Sequence, residues 1–235
     1  MPEAGTRCLL LGGTVDGKWV PAEAIAPKLK PGQRCVFYSE SARTGVVQTG
    51  KTERESPWLF VGVPGIPGGS WVGIGGDWNA IPRKAVCLGS ASKTYARAAQ
   101  RICASKGLAK SRVKLEQVMR VDLEGDGQDE IIFAAASPDY DPVRQRKGQC
   151  SFVALRRIAK GKVQTLILCG RFHRKDDPGA YPESYRISGF CDVDGDGVLE
   201  IGTSFYCPRA DAGGISIHKL TRSSLKLLVR NGVGH

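Results

Sequence analysis

Short apolar segments separated by turn residues run through most of the chain. Asp16 and Gly17 stand between two such segments, and an Asp-Gly pair in that position is a strong hairpin signal. The chain also has 30 Gly and 13 Pro, which is typical of many turns and short strands. We therefore predict a small β-rich unit over residues 1–88. Its strands are expected at Cys8–Leu11, Lys18–Val20, Cys35–Tyr38, Gly45–Gln48, Trp58–Val63 and Trp71–Ile74.

A helical pattern follows in residues 89–112, which we interpret as a helix and a connector. Apolar residues recur there every three to four positions and form one face, namely Tyr95, Ala98, Ala99, Ile102 and Cys103. Ser90 or Ser92 can cap the start of this helix by accepting a hydrogen bond from a free backbone N–H. Gly107 supplies a stop signal at its end.

From Val113 onward the strand pattern occurs twice. The first set of predicted strands is Leu115–Leu123, Ile131–Ala136, Cys150–Ile158 and Val163–Cys169, and the second is Tyr185–Val193, Ile201–Cys207, Ile215–Leu220 and Leu225–Val229. This arrangement predicts an internal duplication over 113–235. The predicted fold class is mainly β, with two four-stranded, blade-like meander repeats, the β-rich N-terminal unit and one α-helix.

An acidic nine-residue loop joins the first two strands of each meander. Asp122–Glu130 reads D-L-E-G-D-G-Q-D-E and Asp192–Glu200 reads D-V-D-G-D-G-V-L-E. Each loop has carboxylates at positions 1, 3, 5 and 9 and a Gly at position 6, a spacing that suits a hard cation such as Ca²⁺. An acidic turn without an ion is the alternative. An EF-hand is not favoured, because it needs Glu at position 12, where this chain has Phe133 and Thr203.

These loops and their flanking strands resemble the FG-GAP/VCBS type of calcium-binding β-propeller repeat, as in integrin α-subunits. The resemblance covers the chain from about Val113 and implies two Ca²⁺ sites without implying any activity. It implies ligation by the carboxylates at positions 1, 3, 5 and 9 and by the main-chain carbonyl at position 7. The implied ligands are Asp122, Glu124, Asp126, Gln128 and Glu130 in the first loop, and Asp192, Asp194, Asp196, Val198 and Glu200 in the second.

Eight cysteines bear on the compartment in which the protein acts. An even number of cysteines in a calcium-type protein suits an oxidising compartment with disulfides, and buried free thiols are the alternative. The pairing is not readable from sequence, although Cys150 and Cys169 could face each other across a hairpin at Lys160-Gly161. We expect an extracellular, periplasmic or cell-surface protein whose signal sequence is absent from this chain. No apolar run approaches the ~20 residues of a transmembrane helix.

The net charge of +11 could attract an anionic polymer, but the basic residues are scattered and carry no nucleic-acid-binding motif. Nucleic acid is therefore not the expected partner; an unidentified protein, a glycan or another anionic polymer remains open. No nucleophile elbow, P-loop or zinc-protease motif is present, so no catalytic residue is predicted. Of the three histidines, His173 and His218 are expected at the surface rather than as general bases, and the third is His235.

Two principal functions agree with these features. The first is a non-enzymatic, calcium-stabilised extracellular binding or scaffold protein. The second is a secreted hydrolase acting on cell-wall or polysaccharide material, in which Trp58, Trp71 and Trp78 would line a sugar subsite beside a carboxylate such as Asp77. A binder of anionic polymers through the basic surface is a further alternative. These tryptophans are more often core residues, and the direction in which they point separates the first two functions.

Overall fold

The structure is a computed structural model that describes residues 7–40, 42–141, 143–144, 146–177, 179, 182–221 and 224–234. Residues 233 and 234 are described by their backbone alone. The chain divides into two compact units. Unit 1 comprises residues 1–84 and 189–200, and unit 2 comprises residues 85–188 and 201–235. In the described part of the chain, no helix has the length and apolar character needed to cross a bilayer.

The structure is mainly β, as predicted, with several small antiparallel sheets and few helices. In chain order the strands are β1 (Arg7–Leu9), β2 (Gly12–Val15), β3 (Lys18–Pro21), β4 (Arg34–Tyr38), β5 (Arg43–Gln48), β6 (Thr52–Glu55), β7 (Trp58–Gly62), β8 (Val72–Ile74), β9 (Val86–Leu88), β10 (Lys114–Val121), β11 (Glu130–Ala136), β12 (Cys150–Ala159), β13 (Lys162–Phe172), β14 (Ser184–Cys191), β15 (Glu200–Cys207), β16 (Ala212–Leu220) and β17 (Leu225–Gly234). The α-helices are α1 (Ala22–Ile25) and α2 (Lys93–Ser105), and 3₁₀ turns lie at Ala26–Lys28 and Pro208–Ala210.

Unit 1 contains three small sheets, with strand orders β1-β7-β6, β5-β4-β8 and β2-β3. The predicted hairpin turn is confirmed, since Asp16 and Gly17 both have positive φ, at 50° and 70°, as a type I′ turn requires. The strand that enters this turn was predicted wrongly. It is β2 rather than Cys8–Leu11, because β1 pairs instead with β7, placing Cys8 opposite Val61.

Unit 2 contains a five-stranded sheet with the order β13-β12-β11-β10-β9. The predicted helix is confirmed as α2, which begins after Ser92 and is followed by Gly107 at φ 83°. Its apolar face packs on this sheet, where Ala99, Ile102 and Cys103 join a buried cluster that includes the β11 and β12 side chains. The first predicted meander is therefore present, with β9 added at its edge.

The second predicted meander forms a four-stranded sheet with the order β14-β15-β16-β17. The structure groups residues 189–200 with the N-terminal residues and pairs β9 with β10, while the predicted segments 1–88, 89–112 and 113–235 stay a prediction. In addition, α1 is a second α-helix, too short for its four residues to produce a periodic apolar pattern. The internal duplication stays a prediction.

Candidate metal centre

The second acidic loop is built around the carboxylate of Asp192. Its Oδ1 accepts hydrogen bonds from the backbone N–H groups of Gly195 at 2.7 Å and Asp196 at 3.2 Å, and its Oδ2 accepts one from Gly197 at 2.9 Å. Gly195 and Gly197 have φ values of 79° and 85°, which side chains other than Gly rarely adopt. The glycines therefore let the loop curl tightly enough to aim several N–H groups at one carboxylate.

Two further carboxylates accept hydrogen bonds from the backbone of this loop. Asp196 Oδ1 accepts a bond from the Val198 N–H at 3.0 Å, and Glu200 Oε2 accepts one from the Val193 N–H at 2.8 Å. Glu200 is fully buried, at 0 % exposure, and is the first residue of β15. The carboxylates of Asp192, Asp196 and Glu200 are thus held by the loop backbone through the same bonds that shape the loop.

The first acidic loop repeats this pattern bond for bond. Asp122 Oδ1 accepts bonds from Gly125 and Asp126, its Oδ2 accepts one from Gly127, and Asp126 Oδ1 accepts one from Gln128. The carboxylate at the ninth position again reaches back to the second, with Glu130 Oε2 at 2.9 Å from the Leu123 N–H. The similarity of sequence between the loops is therefore matched by the same hydrogen-bond arrangement.

Convergence of the acidic side chains distinguishes the two loops. In the second loop, Asp192, Asp194 and Glu200 each offer a carboxylate oxygen, and these oxygens lie within 4.8 Å of one another, an arrangement that could hold a metal ion. In the first loop, the longer Glu124 side chain at position 3 lies instead 3.8 Å from Nη1 of Arg157, whose side chain is 3 % exposed. Among the described residues, the second loop gives the only such cluster.

Burial disfavours the charged form of a carboxylate in each loop. It raises the pKa of Asp192 above its ordinary value, with a further contribution from the carboxylates of Asp196 and Asp194. Burial likewise raises the pKa of Glu130 to about 7, assisted by Glu124, Asp126 and Asp122. Carboxylates held close together in a low-dielectric environment disfavour ionisation. A cation would remove this penalty by pairing with the charges that repel.

Residues 78–83 of unit 1 hold the second loop from outside. The indole Nε1 of Trp78 donates to the Asp192 carbonyl at 2.8 Å, and the Asp192 N–H donates to the Ala80 carbonyl at 2.8 Å. A guanidinium N–H of Arg83 donates to the Gly197 carbonyl at 2.6 Å. The Trp78 ring also lies against Gly195, 3.2 Å from where a Cβ would stand. The loop is therefore anchored by its backbone at three points.

No family model, curated protein or solved structure matches this chain. The candidate site consequently rests on the residues and their geometry.

The predicted ligands can now be placed, although their roles as ligands stay predictions. The structure brings together Asp192, Asp194 and Glu200, and it turns Glu124 toward Arg157. Sequence reasoning missed the roles of Trp78, Ala80 and Arg83 in holding the loop. These residues are more than a hundred positions from the loop, as shown by the 114-residue separation of Trp78 from Asp192, and no local pattern marks them.

Two of the three tryptophans proposed for a sugar subsite make contacts within unit 1. The Trp71 indole donates to the Ser39 carbonyl at 3.2 Å and its ring lies against Gly189, while Trp78 packs on the second acidic loop. The Asp77 side chain is 98 % exposed and lies 3.6 Å from Arg34. Two of the three rings are thus engaged in packing within unit 1.

The predicted surface positions of the two central histidines are wrong. His173 is 4 % exposed and stacks on Tyr140, and His218 is 5 % exposed, with Nε2 3.2 Å from Thr203 Oγ1. Burial lowers the pKa of His218 to about 4, with help from the positive charge of Arg230. His218 is therefore neutral at physiological pH. His235 lies outside the described residues.

The eight cysteines are free thiols in the structure. The hairpin at Lys160-Gly161 is present, but its register places Cys150 opposite Phe172 and Cys169 opposite Val153. The facing arrangement of Cys150 and Cys169 that the sequence allowed is therefore wrong. Cys103 is instead the thiol nearest to Cys150, with the two Sγ atoms 3.4 Å apart.

Proposed function

We propose that the second acidic loop binds Ca²⁺ and that the protein is a calcium-stabilised binding or scaffold module. The observation that carries the proposal is the convergence of Asp192, Asp194 and Glu200 within 4.8 Å. Two oxygens bound to the same Ca²⁺ at about 2.3–2.6 Å can be up to about 5 Å apart, whereas Mg²⁺, at about 2.0–2.1 Å, requires a tighter shell. Oxygens within 4.8 Å of one another are compatible with Ca²⁺, and we favour this ion because its flexible shell of six to eight oxygens suits a short loop of carboxylates and carbonyls.

The ligand set we propose adds Asp196 and the Val198 main-chain carbonyl to the three clustered carboxylates. Hydrogen bonds from the loop backbone do not prevent this, because each carboxylate oxygen has two lone pairs and can accept a bond while ligating an ion. The Trp78 and Arg83 contacts support the loop in a shape already close to the one needed. A pre-organised loop loses less conformational freedom on binding.

The first loop is proposed as a second, weaker Ca²⁺ site. Its ligands would be Asp122, Glu124, Asp126, Glu130 and the Gln128 carbonyl. Glu124 must leave the neighbourhood of Arg157 to reach the ion, and Arg157 is a buried cation that would lose this partner. The cost of that rearrangement is the reason for expecting lower affinity than in the second loop.

The role proposed for the metal is structural, and the protein is proposed to be non-enzymatic. All protein ligands come from one short loop that is also bonded to the Trp78 side chain and the Ala80 carbonyl, so the ion would fasten the loop in place. The packing of Trp71 and Trp78 gives no support to a hydrolase subsite. We place the protein outside the cytoplasm, where Ca²⁺ is plentiful, with a protein, a glycan or another anionic polymer as its partner.

Calorimetric titration of chelator-treated protein tests the metal proposal. Ca²⁺ should bind the wild type with heat that Mg²⁺ does not reproduce at the same concentration. Asp194→Asn should abolish the tighter site, and Glu124→Gln should affect the weaker one. Asp77→Asn is the matched control, because Asp77 is almost fully exposed and lies outside both loops. Absence of binding at millimolar Ca²⁺, or equal loss in Asp77→Asn, would contradict the proposal.

A separate assay addresses the non-enzymatic role. Calcium-loaded protein incubated with peptidoglycan and with a panel of polysaccharides should release no reducing ends, whereas glycan-array or pull-down binding can still be positive. Calcium-dependent release of sugar that is lost in Trp58→Ala would favour the hydrolase instead.

A further inference from the structure

A small cavity in unit 2 is lined by basic side chains, unlike either acidic loop. It has a volume of about 260 Å³ and is lined by residues of β13, β14, β16 and β17. Arg171, Tyr185, His218 and Arg230 contribute its polar surface, and Leu168 and Leu227 contribute apolar surface. Among the described residues that line it there is no carboxylate, so the charged groups facing the cavity are both cationic.

Glu183, behind this lining, holds the two arginines in place. Its side chain is 12 % exposed, and its carboxylate accepts bonds from Arg171 Nε at 3.1 Å and from Arg230 Nη2 at 2.7 Å. The Tyr185 hydroxyl donates a third bond to the same carboxylate. One carboxylate is thus shared by two guanidinium groups, which leaves the cluster with one unit of excess positive charge.

The guanidinium groups are oriented before any ligand arrives. The Arg230 guanidinium carbon lies 4.3 Å from the centre of the Phe205 ring, which fixes the plane of the group. Each guanidinium carries five N–H donors in a rigid fork, and one bond to Glu183 leaves other donors of that fork able to serve a second acceptor. This geometry matches the planar, two-oxygen faces of carboxylate and phosphate groups.

We propose that this cavity binds a small molecule through a carboxylate or phosphate group, which Arg171 and Arg230 grip together. The cavity is smaller than the roughly 300–1,000 Å³ typical of drug-sized ligands, so the ligand is a compact anion. Leu168 and Leu227 offer contact to a short apolar portion beside the anionic group. The proposal concerns a site in unit 2 and does not depend on metal binding.

Titration with sodium phosphate and sodium malonate, each against sodium chloride at equal ionic strength, tests this site by calorimetry. The wild type should bind at least one of the two anions with a defined stoichiometry of one, and the tighter one identifies the recognised group. Arg171→Gln should weaken that binding at least tenfold. Arg97→Gln removes the same charge from the exposed face of α2 and should leave binding unchanged.

A second variant keeps the test decisive if Arg171→Gln folds poorly. Leu227 is 51 % exposed at the cavity, so Leu227→Trp adds bulk there without altering charge, and it should also abolish binding. The proposal is overturned if neither anion binds more strongly than chloride. It is equally overturned if Arg97→Gln weakens binding as much as Arg171→Gln, because the overall positive charge would then account for the effect.

An independent observation concerns two buried thiols, one on α2 and one on β12, that lie side by side. The Sγ atoms of Cys103 and Cys150 are 3.4 Å apart, and both residues are 0 % exposed. A disulfide has an S–S distance of about 2.05 Å, so the sulfurs need to approach by roughly 1.4 Å. A disulfide therefore requires the two side chains to rotate toward each other. The residues are 47 positions apart in sequence, so their proximity reflects the packing of the helix on the sheet.

We infer that Cys103 and Cys150 form a disulfide when an oxidising thiol–disulfide couple is present. A thiolate attacks one sulfur of oxidised glutathione and releases one glutathione thiol, and the second cysteine then displaces the other glutathione. One protein S–S bond replaces the glutathione S–S bond, while the two protein thiols give up their protons and two electrons. Because both thiols are buried, the exchange requires α2 to lift from the sheet or takes place during folding.

Peptide mapping tests this pair directly. After refolding in a glutathione redox buffer, the protein is denatured, alkylated and digested, and peptides containing Cys103 and Cys150 should be recovered joined, with two hydrogens lost. The oxidised protein should melt several degrees higher than the same protein in a reductant. Cys103→Ser should abolish this difference, whereas Cys87→Ser, at an exposed thiol, should preserve it. Recovery of both thiols fully alkylated, or joined to other cysteines, would overturn the inference.

Discussion

The indole N–H of Trp78 donates to the main-chain carbonyl of Asp192 across 2.8 Å, although the two residues are 114 positions apart. Asp192 is also the residue whose carboxylate organises the second acidic loop. A side chain from the first third of the chain therefore fixes the backbone of the candidate ligand. Metal affinity should depend on this contact as well as on the ligands.

Trp78→Phe should weaken Ca²⁺ binding at the second loop. The substitution removes the N–H donor but keeps an aromatic ring against Gly195, and a hydrogen bond of this kind contributes about 0.5–1.5 kcal/mol. The expected loss is about threefold to tenfold in Kd by calorimetry. Trp19→Phe, whose ring packs on Gly12, should leave the affinity unchanged. The calcium-dependent change in tryptophan fluorescence should also be lost in Trp78→Phe alone.

Two glycine substitutions separate backbone strain from packing on Trp78. Gly195→Ala and Gly197→Ala both place a side chain at positive φ, which costs about 1–2 kcal/mol. The added methyl at 195 lies 3.2 Å from Trp78 Cδ2, whereas nothing lies within 4 Å of the one at 197. In urea unfolding, Gly195→Ala should therefore be the more destabilising. Equal losses of unfolding free energy in the two variants would mean that Trp78 moves aside freely.

Asp196→Ala should destabilise the protein more than Asp129→Ala. Asp196 Oδ1 accepts a bond from the Val198 N–H inside the turn, whereas Asp129 is half-exposed and lies 3.4 Å from Arg120. A surface ion pair contributes about 0–1 kcal/mol, so little is lost at 129. The difference in melting temperature should widen when Ca²⁺ is added. A chelator that lowers the melting temperature of both variants equally would refute the assignment of Asp196 as a ligand.

Hydrogen exchange should show how far a bound ion acts beyond its loop. Protection on adding Ca²⁺ should be largest at residues 189–205, and it should extend to 78–83, because the Asp192 N–H and carbonyl are both bonded there. Residues 8–75 should change little. Protection centred on Trp58 instead would point to a functional metal site in the N-terminal region.

The buried, neutral His218 makes a contribution to stability that mild acid should remove. Burial lowers its native pKa to about 4, below the unfolded value of about 6.5, so the unfolded chain takes up the proton first as pH falls. The His218 contribution is fully present above pH 6.5 and is lost between pH 6.5 and 4, by up to about 3 kcal/mol. Glu130, whose native pKa is raised to about 7, contributes in the opposite direction over much of this range. The measurement is therefore the difference in unfolding free energy between the wild type and His218→Gln, which should shrink as pH falls from 6.5 to 4. A difference that does not change with pH would mean that His218 does not titrate there.

The sequence predicted those parts of the fold that depend on interactions between residues close together in the chain. The turn at Asp16-Gly17, the helix over Lys93–Ser105 and both acidic loops follow from residues within a few positions of one another. The loop hydrogen bonds span at most seven residues, so the residues that form them lie within the motif that the sequence singled out. These parts of the fold were accessible because propensity, turn geometry and side-chain bonding all act over short distances.

Long-range pairing was not accessible in the same way. The sequence predicted that the apolar run containing Cys8 forms a hairpin with Lys18–Val20. Its partner in the structure is β7, some fifty residues later. The first loop likewise reads as a good cation site until Arg157 is placed beside Glu124. Burial of His173 and His218 also depends on the packing of whole strands, which the polarity of adjacent residues does not reveal.

Unit 1 is assembled from two separated pieces of the chain, residues 1–84 and 189–200. During synthesis the ribosome releases the first piece long before the second, so Trp78 and Ala80 have no Asp192 to bind until about residue 200 has emerged. Unit 1 should therefore finish folding late, and an expressed fragment that stops at residue 84 should be less stable than the same residues in the whole chain. Supplying residues 189–200 as a separate peptide offers a route to recover the missing contacts.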